Sequence, residues 1–430
     1  MQKKLIVIGG GAAGFFCAIN AALKNPELDV TIIEKTSKLL SKVRVSGGGR
    51  CNVTHACFSI AEMIKKYPRG EKFLKQSFHS FFTTDTINWF EQRNIKLKTE
   101  DDGRIFPESN SSETIINCLL QQANNLRIKI MMNTEVIEIE NFQRGDNKEN
   151  ENNIFHNEFK VKCKNATELN ANFICIACGG YNKKEQFNWL TKLGHNFESP
   201  VPSLFTFNIP NNPVVELMGV TLKDVVIKIN GTKHKQNGPL LITHWGFSGP
   251  AILKLSAFAA KDLSVLQYDF SITVNWISSL NENLLLEKLK LLRNEIASQK
   301  IGNRNPFDLP QRFWKYHLQL CGINEEIRWA DLPAKLQNLL AIQLCSQQFH
   351  VRGKTTFKEE FVTAGGIKLN EVNAVTMESK IIPQLFFAGE ILDVDGITGG
   401  FNFQHAWTSG WIAANEIASF SGKGMNNILQ

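Results

Sequence analysis

Residues 5–14 read Leu-Ile-Val-Ile-Gly-Gly-Gly-Ala-Ala-Gly, an apolar run that ends in a cluster of glycines. Four consecutive apolar residues are typical of a buried parallel strand, and the second half of the run fits the pattern G-x-G-x-x-G. Residues 15–23 are small and apolar, which predicts a helix. A second apolar strand at 30–33 ends at Glu34, twenty residues after Gly14. Strand, glycine turn, helix, strand and acid therefore follow the order of a dinucleotide-binding fingerprint.

Each glycine of this pattern has its own physical role. Gly9 permits the tight turn, Gly11 lets the backbone approach a pyrophosphate, and Gly14 lets the helix pack close to the sheet. The N-terminus of the helix supplies free N–H groups and the positive end of the helix dipole for the phosphates, and Ala12 and Ala13 are included in the predicted site. The alternative is an incidental glycine-rich turn.

The acid at the end of the second strand restricts the ligand. Glu34 can accept hydrogen bonds from both hydroxyls of a ribose, and its charge would repel a 2′-phosphate. The predicted ligand is therefore an adenine dinucleotide without a 2′-phosphate, FAD or NAD. Lys35, the next residue, is included in the predicted site.

A second glycine loop follows at residues 46–52, which read Ser-Gly-Gly-Gly-Arg-Cys-Asn. Three consecutive glycines cost ordering entropy and bury no side chain, so they suit close approach to a flat ring or a phosphate. Arg50 suits an anion or a reduced, anionic flavin, and Asn52 can both donate and accept. Cys51 is interpreted as a small buried filler. A flexible surface loop is the alternative. The predicted contacts are Ser46, Gly47, Gly48, Gly49, Arg50, Cys51 and Asn52.

A third ligand-facing segment is predicted near the C-terminus. Residues 385–390 read Leu-Phe-Phe-Ala-Gly-Glu, a predicted strand that ends in Gly-acid, and a helix is predicted over about 402–417. A glycine-rich helix start can direct N–H groups at the O2 atom of a flavin, and Glu390 is placed to bind a ribityl hydroxyl. The alternative is a structural strand–helix unit with an ordinary turn. The predicted contacts are Gly389, Glu390, Gly399, Gly400, Phe401 and Asn402.

Composition excludes several protein classes. The 430 residues predict two or three domains, and 43% hydrophobic with 21% charged residues exclude wholesale disorder, collagen-like repeats and a disulfide-dense mini-domain. The net charge of +7 suits an anionic ligand and is weak evidence for nucleic acid. Nine irregularly spaced cysteines indicate reduced thiols, and no metal site is predicted.

The N-terminal apolar run also has features of a targeting segment. Lys3 and Lys4 precede the uncharged residues 5–23, as in a signal peptide or a membrane span. Four glycines in the middle of the run would weaken a hydrophobic helix, whereas a phosphate-binding turn needs them. The expected location is therefore the cytoplasm.

These motifs resemble those of the HI0933-like family of bacterial FAD-dependent oxidoreductases. Besides the two glycine patterns, the matching pieces are GRIFP at 103–107, ACGG at 177–180, THWGFSGPAIL at 243–253 and most of 361–410. The resemblance implies FAD bound by the first and last thirds of the chain, and it adds Val136, Ala177 and Gly179 to the cofactor site. Residues 181–192 are shorter than the corresponding loop of relatives, which the resemblance places towards the substrate.

The predicted fold is α/β: a Rossmann-like, three-layer βαβ FAD-binding domain that carries an inserted, barrel-like β-rich domain with a small helical subdomain. The FAD domain comprises 1–190 and 356–430, the insert 191–355, and its helical part about 281–345. Residues 141–158 are polar and predict a hairpin tip or a disordered loop. The insert's predicted strands are 204–209, 225–229, 240–243, 265–270 and 349–354, and its predicted helices are 281–298, 309–320 and 332–345.

The expected function is flavin-dependent oxidoreduction, with hydride passing between an organic substrate or NAD(P)H and flavin N5. NAD(P)H would dock transiently, because no second G-x-G-x-x-G occurs. The candidate catalytic residues are His244, His405 and Arg104; each has a structural alternative. Cys175 and Cys178 form C-x-x-C, which can act as a redox pair only if the strand ends before Cys178.

Four alternatives to this function remain open. They are an amine-type oxidase that uses oxygen, a reductase or desaturase of an enone, a non-catalytic flavin- or RNA-associated protein, and a flavin-dependent RNA-modifying enzyme. The expected partner is a small-molecule substrate lying between the two domains, with no membrane and no nucleic acid, because no basic cluster with interleaved aromatic residues occurs. The sequence leaves the substrate, the electron donor or acceptor, and the oligomeric state open.

Overall fold

The computed structural model describes residues 2–144, 156–355 and 362–422. The chain divides into two compact units: unit 1 comprises residues 1–202 and 358–430, and unit 2 comprises residues 203–357. Most of the predicted hairpin tip at 141–158 lies outside the described residues. The residues on either side of it belong to two paired antiparallel strands, as in a hairpin.

Strands and helices alternate in the first part of unit 1, and strands dominate the first part of unit 2. The strands are β1 Lys4–Ile8, β2 Asp29–Ile33, β3 Thr54–His55, β4 Leu97–Thr99, β5 Arg104–Pro107, β6 Lys129–Met131, β7 Val136–Arg144, β8 His156–Cys163, β9 Glu168–Ala171, β10 Phe173–Ile176, β11 Phe197–Ser203, β12 Thr206–Asn208, β13 Thr221–Ile229, β14 Lys235–Thr243, β15 Gly246–Ser248, β16 Asp269–Asn275, β17 Gln347–Arg352, β18 Lys354–Thr355, β19 Val362–Ile367 and β20 Leu385–Phe387. The helices are α1 Ala12–Lys24, α2 Ser41–Gly49, α3 Ile60–Ile64, α4 Glu71–Ser77, α5 Thr83–Glu91, α6 Ser112–Asn125, α7 Asn188–Lys192, α8 Pro250–Phe258, α9 Ala260–Val265, α10 Glu282–Glu295, α11 Gln311–Leu320, α12 Ala334–Cys345 and α13 Phe401–Gly422.

A five-stranded parallel sheet forms the centre of unit 1, in the order β20-β10-β1-β2-β6. Leu5 of β1 lies between Phe173 of β10 and Val30 of β2, so the first strand of the chain is central. Its apolar residues are buried, as expected for a parallel strand covered on both faces. The predicted Rossmann-like βαβ arrangement is confirmed.

Two helices from opposite ends of the chain pack together in unit 1. Helix α1 contacts β1 and β2, and α13 packs along α1. A Cβ atom at Gly410 of α13 would lie only 2.7 Å from the carbonyl oxygen of Ala13. The absence of a side chain at Gly410 therefore allows the close approach of the two helices.

Unit 2 contains a seven-stranded antiparallel sheet in the order β17-β16-β13-β14-β15-β12-β18. Its two edge strands, β17 and β18, are separated in the chain by Gly353 alone, so the sheet curves back on itself. The side chains of Phe207, Phe247, Ile272 and Trp276 are buried in the core of this sheet. The barrel-like architecture predicted for the insert agrees with this curvature.

A second core lies among helices α10, α11 and α12 of unit 2. The indoles of Trp314 and Trp329 are fully buried there, with Leu289 and Leu340. The three predicted helices occur within a few residues of their expected bounds. The predicted strand at 265–270 is wrong in its first four residues. Helix α9 ends at Val265, and the left-handed backbone of Gln267 and Tyr268 separates it from β16, which begins at Asp269.

The apolar N-terminal run is divided between two elements. Residues 4–8 form β1 and residues 12–24 form α1. Gly9, Gly10 and Gly11 form the turn between them, and Gly14 lies in the first turn of α1. Within the described ranges, no helix is long and apolar enough to cross a bilayer.

Candidate dinucleotide-binding site

The glycine turn after β1 is tightly packed at two positions and open at a third. A Cβ atom at Gly9, whose φ is +117°, would lie 2.3 Å from the carbonyl oxygen of Ala177, and one at Gly14 would lie 2.0 Å from the carbonyl oxygen of Gly9. At Gly11, the residue that caps α1, no atom lies within 4 Å of that position. The turn thus requires two glycines for packing and leaves free space at the start of α1, where a phosphate can approach the N–H groups.

The carboxylate of Glu34 is fixed beside this turn. Its Oε2 accepts a hydrogen bond from the Gly10 N–H at 2.9 Å, and its Oε1 accepts from the Thr36 N–H at 2.9 Å and the Thr36 hydroxyl at 2.8 Å. A carboxylate has about four acceptor sites, so capacity remains for a ribose hydroxyl. Its position suits recognition of the ribose next to the phosphates.

A cavity of about 390 Å³ lies next to Gly9 and Glu34 within unit 1. Of the other residues predicted to contact the cofactor, Lys35 and Val136 also line it. Its remaining walls are formed by Ile8, Ile33, Thr134, Glu135, Ile137, Cys178, Tyr181, Glu185, Gln186, Asn188, Trp189 and Lys192. The short segment 181–192 therefore contributes six residues to the walls of this cavity, and its placement towards the substrate stays a prediction.

The second glycine loop is tied to the C-terminal turn through Asn52. Gly47 and Gly48, at the end of α2, have φ values of +58° and +70°. The buried amide of Asn52, with its nitrogen donating, bonds the Thr54 carbonyl at 2.9 Å and accepts from the Gly400 N–H at 2.9 Å. Two predicted cofactor-binding loops, separated by almost 350 residues, are thus adjacent in space.

Cys51 of this loop is a buried residue with a left-handed backbone, at φ +62°. Burial raises the pKa of its thiol to about 12, so the thiolate is disfavoured at neutral pH. These properties match a filler of the core.

The predicted arginines of two motifs share one acid. Arg50 Nη1 donates to Glu100 Oε1 at 2.5 Å, and Arg104 Nη2 donates to Glu100 Oε2 at 3.1 Å. Arg104 also bonds Asp102 through Nε at 2.7 Å, and the Arg50 guanidinium lies 4.0 Å from the centroid of the Phe106 ring. Arg104 is thus paired with two carboxylates, which a substrate anion would have to displace.

The two candidate histidines occupy different environments. His405 is buried in α13, where its Nε2 is 3.1 Å from the carbonyl oxygen of Gly389 and therefore donates to it. Burial lowers the pKa of His405 to about 4, so the ring is neutral near pH 7. His244 is exposed in the turn between β14 and β15 of unit 2, against the ring of Trp245.

The C-terminal turn is held by internal bonds of its own. The amide of Asn402 donates to the Gly396 carbonyl at 3.0 Å and accepts from the Gly396 N–H at 2.8 Å. Glu390 pairs with Lys42 and accepts from the Thr363 N–H at 3.1 Å. These two predicted cofactor contacts already stabilise the backbone around them.

The C-x-x-C thiols have different partners. Strand β10 ends at Ile176, so Cys178 lies beyond the strand, as a redox pair would require. However, the Cys175 thiol hydrogen-bonds to Cys17, and the Cys178 thiol hydrogen-bonds to Tyr181. Burial contributes to a raised pKa at both Cys175 and Cys178, and both are free thiols.

The open space at Gly11, the fixed carboxylate of Glu34 and the cavity beside it lie next to one another in unit 1, as the dinucleotide fingerprint predicts. A model of the HI0933-like protein Rossmann domain matches residues 3–416.

The chain belongs to the HI0933-like family. The match covers unit 2 and most of the Rossmann-like unit. This is the family of FAD-dependent oxidoreductases that the glycine motifs indicated.

Two curated relatives of this HI0933-like protein span nearly its full length. It is 28% identical over 420 residues to the ribosomal RNA dihydrouridine synthase of Escherichia coli (strain K12), covering 96% of this chain and 97% of the relative. It is 24% identical over 427 residues to the 3-dehydro-bile acid delta(4,6)-reductase of Clostridium scindens, covering 97% of this chain and 99% of that relative. The solved 3-ketosteroid delta1-dehydrogenase of Sterolibacterium denitrificans shares the fold, with a TM-score of 0.50 and 12% identity. The alignment covers 97% of this chain and 99% of the solved chain.

Sequence reasoning missed several residues that this HI0933-like structure brings to the site. Tyr181 and Trp189 line the cavity beside Glu34, and the His55 ring stacks on Phe401 with centroids 4.8 Å apart. Aromatic residues just after a glycine-ended strand were an available signal for Tyr181 and Trp189. His55 is an isolated histidine whose partner lies more than 300 residues away, so no local pattern marks it.

Unit 2 of this HI0933-like protein carries most of the net charge. Residues 203–357 contain 17 Lys and Arg against 11 Asp and Glu, which gives +6 of the chain's +7. Lys228 of β13 pairs opposite Lys235 of β14, and Lys233 lies in the turn between them. All three side chains are exposed, so this hairpin end is a basic surface that is not visible as a run in the sequence.

Proposed function

We propose that this HI0933-like protein is an FAD-dependent reductase that adds hydride to a carbon–carbon double bond conjugated to a carbonyl. NAD(P)H is the proposed hydride source, and uridine in RNA is the proposed substrate. The observation that carries the cofactor assignment is the contact between Asn52 and Gly400, which joins two flavin-type glycine loops in the unit that holds the dinucleotide cavity.

Residues of unit 1 would hold the cofactor at three places. The turn at 9–14 and the start of α1 bind the pyrophosphate through backbone N–H groups, while Glu34 accepts from the ribose. The start of α13, after Gly399 and Gly400, offers positive partial charge to an anionic ring. FAD, when bound, supplies a two-electron hydride carrier between donor and substrate.

The names of the two relatives support reduction of a conjugated double bond. Making dihydrouridine saturates a ring double bond that is conjugated to a carbonyl, and a delta(4,6)-reductase acts on double bonds of an oxo-steroid. In both cases hydride adds to the carbon remote from the carbonyl, and a proton completes the product. A hydrogen-bond donor that stabilises the negative charge developing on the carbonyl oxygen accelerates such a step.

RNA is favoured over a small substrate by two observations. The more similar of the two relatives described above, from Escherichia coli, is named a ribosomal RNA dihydrouridine synthase, and a second relative carries the same name. Unit 2 has a net charge of +6 and includes the basic hairpin end. Phosphate neutralisation by exposed lysines is the usual source of RNA affinity. The expectation of no nucleic acid rested on the linear sequence, where the hairpin lysines do not form a run with aromatics.

A small conjugated ketone is the second candidate substrate. The 24% identity to a bile acid reductase over 97% of the chain favours it. The cofactor chemistry is the same for both substrates, so the two candidates differ only in what surrounds the reacting double bond.

The first test is anaerobic titration of the purified yellow protein with NADH and with NADPH. Bleaching of the visible flavin band would support a pyridine-nucleotide-driven reductase. The reduced protein is then mixed with unmodified ribosomal RNA transcripts or with a conjugated oxo-steroid. Reoxidation by RNA, with uridine gaining two hydrogens by mass spectrometry, is expected. Reoxidation by the steroid alone would favour the second candidate, and a protein that binds no FAD would refute both.

A further inference from the structure

The turn that precedes α13 contains a buried acid. The side chain of Asp395 has no exposed surface. Asp395 directly precedes Gly396, whose backbone N–H and carbonyl both bond to Asn402 in the first turn of α13. Asp395 therefore lies beside the start of the helix that is proposed to hold the flavin ring. A carboxylate is costly to bury unless it is paired, so a partner for Asp395 is expected.

Arg69 supplies the opposite charge. Its guanidinium donates to both carboxylate oxygens of Asp395, from Nε to Oδ1 and from Nη2 to Oδ2. The backbones of the two residues also form an antiparallel bridge. Two parallel bonds between a guanidinium and a carboxylate fix the orientation of both groups. Only 12% of the Arg69 side chain is exposed, so solvent screens this ion pair weakly.

The segment between α3 and α4, which includes Arg69, holds the same turn at two further points. The Lys66 carbonyl accepts from the Ile397 N–H at 2.9 Å, and the hydroxyl of the buried Tyr67 donates to the Phe401 carbonyl at 2.6 Å. These contacts begin in the turn and end at the first residue of α13. The position of the helix start is thus fixed by a neighbouring segment as well as by the bonds of the turn itself.

Charge beside the α13 start acts on the flavin ring proposed to lie there. Positive charge next to the ring favours its reduced, anionic form and so raises the reduction potential, and the positive end of the helix dipole acts in this direction. The carboxylate of Asp395 acts in the opposite direction, and the guanidinium of Arg69 offsets the carboxylate. The ion pair therefore fixes the turn without adding net charge beside the helix start.

We propose that Arg69 and Asp395 are positioning residues that set the reduction potential of the flavin. They act through the start of α13, not by touching the cofactor. Because their charges cancel, the reduced ring is not stabilised further, and it remains able to give hydride to a conjugated double bond. The inference rests on the proposed FAD-dependent function and deepens it, since it assigns control of the flavin potential to a pair outside the glycine motifs.

The test is the reduction potential of the FAD-loaded protein, measured by anaerobic equilibration with a reference dye. Asp395→Asn removes the negative charge with little change of shape and is expected to shift the equilibrium towards reduced flavin about tenfold, or about 30 mV for a two-electron couple. Arg69→Gln is expected to shift the equilibrium about tenfold in the opposite direction. Glu27→Gln and Arg127→Gln remove the same charges from exposed positions of unit 1 and should leave the potential unchanged.

The opposite signs separate an effect of charge from an effect of structure. A merely structural role predicts shifts in one direction, or none, from both substitutions, and either result would overturn the proposal. The double variant Arg69→Gln with Asp395→Asn restores neutrality, and its equilibrium is expected to lie within about twofold of the natural protein. It provides the same comparison if Arg69→Gln alone does not fold. A double variant shifted as far as Asp395→Asn would contradict the assignment.

The flavin content of each purified variant is recorded with its potential. Loss of FAD from both Asp395→Asn and the double variant would refute the pair as one that sets the potential, because such a pair must leave the ring bound. If the natural protein binds FAD and all variants share its potential, the inference fails and the proposed function stands. If the natural protein itself binds no FAD, the proposed function fails and the inference fails with it.

Discussion

Glu34 places a negative charge beside the glycine turn, and hydrogen bonds fix the orientation of its carboxylate. Hydrogen bonds from Gly10 and Thr36 hold its carboxylate at the mouth of the cavity, so it does not have to be ordered when a ligand arrives. Preorganisation of this kind increases affinity because the entropy cost is already met on folding.

Replacing Glu34 with Gln is expected to weaken FAD binding about tenfold, because a neutral acceptor replaces a charged one. The amide oxygen can still accept from Gly10, so the fold should be retained. FAD binding to the FAD-free protein is measured by flavin fluorescence, with Glu27→Gln, an exposed acid just before β2, as control. Equal affinity in the two variants would contradict the assignment of Glu34 to the ribose.

His405 makes a separate prediction about pH. Its pKa is lowered from 6.5 to about 4 by burial, so the unfolded chain takes up a proton near pH 6.5 while the folded chain does not. The titration of His405 therefore does not lower the free energy of unfolding above pH 6.5. Between pH 6.5 and 4 it lowers that free energy by about 1.4 kcal/mol for each pH unit. Urea unfolding of the FAD-free protein at pH 7, 6 and 5 measures this loss. His405→Gln keeps a donor for Gly389, and a slope equal to that of the natural protein would show that His405 does not titrate in this way.

At the scale of elements, different glycines of the β1–α1 segment serve packing and ligand binding. The Gly9 carbonyl occupies the space where a Cβ at Gly14 would lie, whereas no atom lies within 4 Å of a Cβ at Gly11. The same substitution at these two positions therefore tests two different properties of one turn.

Gly14→Ala is expected to reduce the free energy of unfolding by several kcal/mol or to prevent folding, because its methyl group would overlap the backbone. Gly11→Ala should leave the melting temperature of the FAD-free protein nearly unchanged and weaken FAD binding, since the methyl group enters the space for phosphates. Thermal unfolding and FAD titration of both variants provide the comparison. A strongly destabilised Gly11→Ala variant would show that this space is not free in solution.

Asn52 couples the second glycine loop to the turn before α13. Asn52→Ala removes both of its hydrogen bonds in a buried environment and is expected to cost about 1–3 kcal/mol of unfolding free energy, with weaker FAD binding. The control is Asn88→Ala, on an exposed position of α5, which should not destabilise the protein. Urea unfolding midpoints of the two variants are compared, and equal midpoints would refute the coupling.

At the scale of the whole molecule, charge is divided unequally between the units. Unit 2 carries +6 and unit 1 only +1. An unequal distribution concentrates the electrostatic attraction for a polyanion on the inserted unit.

Lys228→Glu with Lys235→Glu is therefore expected to weaken RNA binding and to reduce the dependence of log K on log salt by roughly one unit per lost phosphate contact. The double variant Lys72→Glu with Lys75→Glu changes the charge equally on exposed positions of α4 in unit 1 and is the control. Filter binding over a series of salt concentrations gives both quantities. Equal losses in the two variants would indicate a general effect of net charge and refute a role for the hairpin.

The dinucleotide turn, the family and the main helices of unit 2 could be predicted from the sequence alone. These follow from local patterns: glycine spacing in residues 9–14, apolar strands, and helical periodicity in α10, α11 and α12. The strand predicted at 265–270 failed because a left-handed turn at Gln267 and Tyr268 left no distinctive local signal.

Contacts between distant residues could not be predicted and are known only from the folded chain. It placed Asn52 on Gly400, Glu100 between Arg50 and Arg104, and Trp189 in the cavity beside Glu34. Such contacts depend on strand order, helix packing and the paths of loops, which no short window of sequence encodes. For the same reason the three lysines of the hairpin form one basic surface only when β13 and β14 pair, because strand pairing brings residues seven apart to opposite positions.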